Sequence, residues 1–229
     1  MTKKFKHIKF IAFDADDTLW DCQSHFETVE KQLFELIKPW CDDPAAELLA
    51  TEAANMEDLG YGSKAFTLSV IETAIRIGGD RLAAEQLSQL LQAGKKLLHL
   101  PATPLPEVED TLRTLAHRYR LCVFTKGELQ DQENKLYRSG LDKYFLHVEI
   151  TSDKTESEFS ALCGHLGILP EELLMVGNSF KSDIAPAVAI GASAVHIPYH
   201  VTWQLEHSEE FEHERVVKIS HFSEVLDLL

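Results

Sequence analysis

The chain has 229 residues, 45% of them hydrophobic, with 37 acidic residues against 22 basic ones and a formal charge of −15. That apolar fraction at that length buries one substantial core, or one core and a smaller satellite, and excludes a disordered polyelectrolyte. The negative balance repels polyanions, so nucleic acid and anionic membrane surfaces are excluded as principal partners, while a small phosphorylated metabolite held by local cations is not.

The first residues, "MTKKFKHIKF", are basic without the apolar centre of a signal peptide, and no run approaches the roughly 18 uninterrupted apolar residues of a membrane span. Cys22, Cys41, Cys122 and Cys163 are scattered, form no Cys-x-x-Cys pair, and read as small buried hydrophobes. Together these features lead to the expectation of a cytoplasmic protein.

The run "IKFIAF", at about 8–13, predicts a first buried strand, and directly behind it "FDADDTLWD" places four aspartates in residues 13–21. From about 24 to 100 the pattern is helical. "HFETVEKQLFELIKPW", "PAAELLATEAANMEDL", "AFTLSVIETAIRI" and "RLAAEQLSQLLQAGKKLL" each repeat apolar residues at three- and four-residue spacing, with Gly60, Gly62, Gly78 and Gly79 between them. After "PATPLP" the chain alternates short β-rich runs, "RLCVF", "FLHVEI", "LLMVG" and "SAVHI", with helical stretches, and "FSEVLDLL" predicts a docked final helix.

Strands separated by crossover helices predict a parallel sheet with right-handed connections, so the expected fold is α/β. The Rossmann-like core comprises 1–22 and 101–229, and 23–100 is a helical insertion within it. In such a sheet, ligands bind beyond the carboxyl ends of the strands. Four predicted strand ends carry, in order, Asp14 and Asp16, then Thr125-Lys126-Gly127, then Ser152-Asp153-Lys154, then Gly177-Asn178-Ser179 with Asp183 close behind.

An Asp-x-Asp alone is common on solvated loops, Thr125 or Ser179 alone is common as a helix cap, and Lys154 alone reads as a surface lysine. Four strand ends supplying carboxylates, a hydroxyl, an ammonium and a carboxamide suit phosphoryl transfer, which needs an oxygen nucleophile, charge neutralisation and a proton for the leaving alkoxide. Asp14 suits attack on phosphorus, and Asp16 suits proton transfer. Thr125, the Lys154 ammonium and the amides of Lys126 and Gly127 suit the phosphate oxygens. A hard divalent cation, Mg²⁺, holding Asp14 ionised makes the carboxylate cluster tolerable. Asp17 and Asp21 need no role.

In the helical block, "LGYGSKAF" sets Tyr61 between two glycines and Lys64 near a helix start, which suits contact with an anionic substrate; a glycine-rich turn between helices is the plainer reading. "HIPYHVTWQLEH" holds three histidines without zinc spacing and reads as a loop beside the site, with His200 and Trp203 as lining groups.

The set resembles the haloacid dehalogenase-like superfamily. "FDADDT" resembles its first motif, "VFTKG" its second, Lys154 in "TSDKTESEF" its third and "MVGNSFKSDI" its fourth, in order over about residues 8–197. The resemblance implies Asp14 as nucleophile, Asp16 as general acid/base, Mg²⁺ as cofactor on Asp14, Asp16, Asn178 and Asp183, and the helical block as a cap. Asp16, where the dehalogenase branch has a bulky non-acidic residue, favours phosphate esters over carbon–halogen bonds. Asn178 stands where the family often has a metal-binding Asp, leaving Asp183 as a direct or water-mediated supporter. The expected activity is Mg²⁺-dependent hydrolysis of a small phosphomonoester through an aspartyl-phosphate. A phosphomutase, a 2-haloacid dehalogenase and a phosphometabolite-binding protein are the alternatives.

Overall fold

The computed structural model describes residues 4–229; residues 1–3, which the sequence assigns to the core, lie outside the described residues. The chain divides into two units, one of residues 4–21 with Ala102–Leu229 and the other Cys22–Pro101.

The first unit holds a six-stranded sheet in the order β3-β2-β1-β4-β5-β6. Its strands are β1 (Phe10–Phe13), β2 (Arg120–Lys126), β3 (His147–Thr151), β4 (Leu173–Gly177), β5 (Ser193–His196) and β6 (Val216–Lys218), and every neighbouring pair is parallel. Parallel strands need crossovers, and α5 (Val108–Ala116), α6 (Leu129–Ser139), α7 (Glu156–Leu166) and α8 (Ala185–Ala189) lie between strands in the chain. Strand β6 was not expected from the sequence. The C-terminal helix is a 3₁₀ segment, Phe222–Leu228, rather than an α-helix.

A sheet covered on both faces buries both sets of alternating side chains. Ile11 and Phe13 of β1 join Leu121, Val123, Leu174, Val176 and Val195 in one cluster, closed by Val108, Leu112 and Leu115 of α5 and by Phe222 and Val225. Phe10 and Ala12 point the other way, to Cys122, Phe124, Leu173, Met175 and α7's Phe159 and Leu162. Each such side chain contributes roughly 1.5–3 kcal/mol by leaving water. This is why the strands read as continuous apolar runs, and why Cys122 and Cys163 are buried as the sequence suggested.

The strand order reverses about β1: the chain runs outward through β2 and β3, then returns to β4 on the other side of β1. The ends of β1, β2 and β4 therefore border the crevice where this class of sheet binds ligands.

The second unit consists of α1 (Gln23–Ile37), α2 (Pro44–Leu59), α3 (Ser63–Gly78) and α4 (Ala84–Leu97). Val29, Leu33 and Ile37 of α1, Phe66, Val70 and Ala74 of α3, and Leu90 and Leu97 of α4 form its own core at helical spacing. Asp43 caps α2 by accepting from Ala46 N at 3.0 Å, and Pro44 occupies the first helical position. Helices α3 and α4 approach closely at Gly94, where a Cβ would stand 2.2 Å from Thr67 Oγ1. Among the described residues, no helix is long and apolar enough to cross a membrane.

Candidate active site

Asp14 begins the loop after β1 while its N–H still bonds Val176 O at 2.9 Å, so β4 fixes its backbone. The loop then turns tightly. Leu19 N bonds Ala15 O at 2.8 Å and Asp17 N bonds Trp20 O at 2.7 Å, with Asp17 at φ 61°, a left-handed conformation that Asp tolerates. The turn carries the Thr18 hydroxyl to 3.2 Å from Asp14 Oδ2 and 3.2 Å from Asn178 Oδ1, joining the ends of β1 and β4.

Lys154, just beyond β3, crosses to the same place: its Nζ lies 2.5 Å from Asp14 Oδ1 and 2.7 Å from Asp183 Oδ1. The Lys154 side chain is only 1% exposed, and so is that of Asp183. Asp183 is held by a five-residue π turn, Phe180–Ile184, and its Oδ2 accepts from Ser179 N at 2.9 Å. Gly177 makes room for it: a Cβ there would stand 2.2 Å from Asp183 Oδ2.

One buried ammonium thus serves two buried carboxylates, leaving a net negative charge. Burial, followed by the repulsion of Asp183, raises the Asp14 carboxyl to about 7 despite the attraction of Lys154. Burial alone would lower Lys154, but Asp14 and Asp183 outweigh it and hold the ammonium above its ordinary range.

Asp16 is in a different setting. Burial alone would raise it, but the Lys135 ammonium and hydrogen bonds from Lys135, Trp20 and Gln132 outweigh burial and hold it below the usual carboxylate range. Gln132 Nε2 also lies 2.8 Å from Thr125 Oγ1 and 2.9 Å from Lys126 O. Thr125 Oγ1 is thus an acceptor from Gln132, and its own hydroxyl proton can still be donated. The two catalytic candidates of "DAD" therefore have their proton affinities pushed in opposite directions.

The structure brings Asp14, Thr125, Lys154, Asn178 and Asp183 to the ends of β1, β2, β3 and β4. Of the two amides expected to bind phosphate, that of Gly127 is engaged by β3, and the Lys126 side chain is held elsewhere in the unit. Lys126 Nζ meets Glu206 Oε1 at 2.5 Å and Ser182 Oγ at 2.8 Å, and the Gly127 N–H bonds Thr151 O at 3.1 Å. Glu206 in turn accepts from Ser179 and Ser182 Oγ, each at 2.6 Å, and this ties the 198–207 loop to the fourth strand end. His196, buried and shifted down by that burial, donates from Nε2 to Asn178 O at 3.0 Å. Tyr61 is half-buried beside Gly62, whose φ is 123°, and Lys64 is an exposed residue of the first turn of α3.

The donor set bears on a metal. Asp16 is turned to Lys135 and Asp183 to Lys154, so the oxygens that face each other across Thr18 are Asp14 Oδ2 and Asn178 Oδ1. Among the described residues, no three His, Cys, Asp or Glu side chains group as a metal site. One carboxylate and one neutral amide oxygen still fit Mg²⁺, which is commonly held by one or two carboxylates with substrate phosphate and waters completing its shell.

Thr18, Trp20, Gln132, Lys135 and Glu206 were not among the expected site residues. Lys135 and Gln132 lie three apart on α6, in a segment whose polar composition reads as a solvated face.

The fold is thus an α/β protein with a parallel sheet, and its central strand ends in a buried carboxylate paired to a buried lysine. The chain belongs to the haloacid dehalogenase-like hydrolases, whose family model matches residues 8–191. It is an enzyme of that family. It is 28% identical to a glyceraldehyde 3-phosphate phosphatase of Methanothermobacter thermautotrophicus over 85% of this chain and 88% of that one. It is 25% identical to a phosphoglycolate phosphatase of Pasteurella multocida over 88% and 90%. Among solved structures, a haloacid dehalogenase-like family hydrolase from Xanthomonas campestris superposes with a TM-score of 0.86 at 30% identity, covering 97% of this chain and 92% of that one.

Proposed function

We propose that the protein hydrolyses a small phosphomonoester by way of an aspartyl-phosphate on Asp14, with Mg²⁺ as cofactor. The observation that carries the reading is the Asp14–Lys154–Asp183 triad at the mouth of the sheet, a buried carboxylate kept reactive beside a fixed ammonium. The phosphatase activities of the relatives support it, since those proteins match this chain over most of their length.

In this mechanism Lys154, the Thr125 hydroxyl and the loop backbone bind the phosphoryl oxygens. An Asp14 oxygen attacks phosphorus as the bond from phosphorus to the leaving oxygen breaks, and Asp16 gives its proton to that oxygen. A water then attacks the aspartyl-phosphate, with Asp16 taking its proton, and inorganic phosphate leaves with Asp14 restored. Asp16, ionised without substrate, takes up a proton from solvent as the anionic phosphate binds and raises its proton affinity, and that is the proton it gives. Asp14 and Asn178 would hold Mg²⁺, with Asp16 and Asp183 nearby as supporters, and the ion when bound keeps Asp14 ionised and draws charge from the phosphate.

We assign specificity to the helical unit, acting as a cap over 23–100, with Tyr61 and Lys64 as the residues that read the substrate beyond its phosphate. Because the relatives act on glyceraldehyde 3-phosphate and phosphoglycolate, short phosphorylated acids and aldehydes are the first substrates to test. Asp16 favours this chemistry over dehalogenation. Release of inorganic phosphate from a panel of phosphorylated metabolites, with Mg²⁺ and with excess chelator, tests the reading. No release from any ester, or undiminished release in chelator, would contradict it.

A further inference from the structure

Helix α6 holds the Asp16 carboxylate from its buried side. Lys135 Nζ lies 2.8 and 2.7 Å from the two Asp16 oxygens, Gln132 Nε2 lies 3.1 Å from Oδ2, and Trp20 Nε1 approaches Oδ1 at 2.7 Å. The Lys135 side chain is 4% exposed against 28% for Asp16, so the lysine is the more deeply buried partner of the pair. Behind Lys135, one turn earlier on the helix, stands Asp131, also 4% exposed and 4.0 Å away.

Sinking a lysine this deep is costly unless its charge is matched, and a well-packed apolar residue often serves stability as well or better. A purely structural ion pair is the simpler reading, and Asp131 alone would have met it. Two features go beyond that. Lys135 straddles both oxygens of Asp16, which fixes the plane of the carboxylate as well as its place. Gln132, from the same helix face, reaches both Asp16 and Thr125, so one helix sets the relative position of the proton donor and a phosphate-binding hydroxyl.

We propose that Lys135 and Gln132 are positioning residues for proton transfer: they aim Asp16 at the leaving-group oxygen and take no direct part in phosphate binding. The assignment rests on the phosphatase reading and adds to it a pair of residues with a step of their own. Because a carboxylate held in one plane delivers its proton along one direction, the pair acts on the bond-breaking step where protonation matters most, which is with alkoxide leaving groups.

The test compares the wild type, Asp16→Asn, Lys135→Met, Lys135→Arg and Gln132→Leu on 4-nitrophenyl phosphate and on glycerol 3-phosphate, with folding followed by circular dichroism and melting. Lys135→Met is expected to lower kcat on the alkyl ester by about 100-fold and on the aryl ester by no more than about tenfold. KM should stay within about threefold, and Lys135→Arg should recover part of the alkyl activity. Gln132→Leu should show the same bias at about tenfold, and it carries the test if Lys135→Met does not fold. Equal losses on both esters, or a loss confined to KM, would overturn the positioning role while an alkyl-biased loss in Asp16→Asn left the phosphatase reading standing. A wild-type protein releasing phosphate from neither ester would overturn both.

Discussion

Lys154 Nζ stands 2.5 Å from Asp14 Oδ1 in a site from which both side chains are nearly closed to solvent. The pair is not neutral in its surroundings, because Asp183 takes the same ammonium at 2.7 Å. A buried group of two carboxylates and one lysine holds a surplus negative charge that a bound cation would cancel.

That surplus predicts a trade between stability and turnover at Asp14. Its carboxyl is raised from 3.8 to about 7 in the folded chain, chiefly by burial. Between those values the folded state binds the proton and the unfolded state does not, so this contribution to stability is full below about 4 and is lost as pH rises through about 7. In chelator, the wild type should melt at progressively lower temperature from pH 5 to pH 8. Asp14→Asn should show a flatter profile, melt higher than the wild type at pH 8, and lose turnover by at least about 1,000-fold. Differential scanning fluorimetry across pH with a phosphate-release assay checks both, and a variant turning over within a few-fold of wild type would remove Asp14 as nucleophile.

Asn178 offers the second test of charge. Its Oδ1 meets the same Thr18 hydroxyl as Asp14 Oδ2, so a carboxylate there would add a negative oxygen where a cation is expected. Chelation should stop activity and Mg²⁺ should restore it. Asn178→Asp should lower the half-saturating Mg²⁺ concentration by about tenfold, while in chelator it should melt below the wild type because a third carboxylate joins the triad. An Mg²⁺ titration of both proteins decides the point. Identical titration curves would take Asn178 out of the metal shell.

Much of this arrangement was legible before the fold. Buried parallel strands must be apolar on both faces, so β1, β2, β4 and β5 stand out as continuous runs, and the polar residues directly behind β1, β2, β3 and β4 are those the fold gathers at the candidate site. The three-residue β6 is too short to carry a pattern, and the last segment's apolar spacing does not distinguish a 3₁₀ turn from an α-helix. Lys135 and Gln132 were invisible for a different reason. In "LQDQENKLYRS" a buried polar face and a solvated one look the same, and only the partner 119 residues away, Asp16, makes the difference. The tie between the Lys126 ammonium and Glu206, 80 residues on, is likewise a contact that only the fold reveals.

Gly177 predicts the effect of a single methyl group. Asp183 fills the space where its side chain would be, with Oδ2 2.2 Å from the ideal Cβ position. Gly177→Ala should displace that carboxylate from Lys154 and Ser179 N, leaving a buried donor short of a partner, and destabilise the fold by about 1–3 kcal/mol. Activity should fall more than stability explains, since Lys154 would lean wholly on Asp14. Denaturant melts and kcat on an aryl phosphate measure the two effects. Wild-type values for both would show that Asp183 has room to move and that its tether is dispensable.

Lys64 tests where specificity is held. The strand-end groups can recognise only the phosphoryl group and a cation, so discrimination among phosphate esters needs residues from another part of the chain. Lys64 sits exposed in the first turn of α3, behind Gly60 and Gly62 with φ 65° and 123°. The positive end of the α3 dipole and the lysine ammonium both favour an anionic or oxygen-rich group. With a preferred substrate identified from the metabolite panel, Lys64→Ala should lower its kcat/KM by about 30-fold or more and that of 4-nitrophenyl phosphate by less than about threefold, because a minimal aryl ester offers little beyond the phosphate to read. Tyr61→Phe should follow the same direction with a smaller loss. Equal losses on both esters, or none on either, would move specificity away from this turn, and the 198–207 loop with His200 and Trp203 would then be the segment to vary.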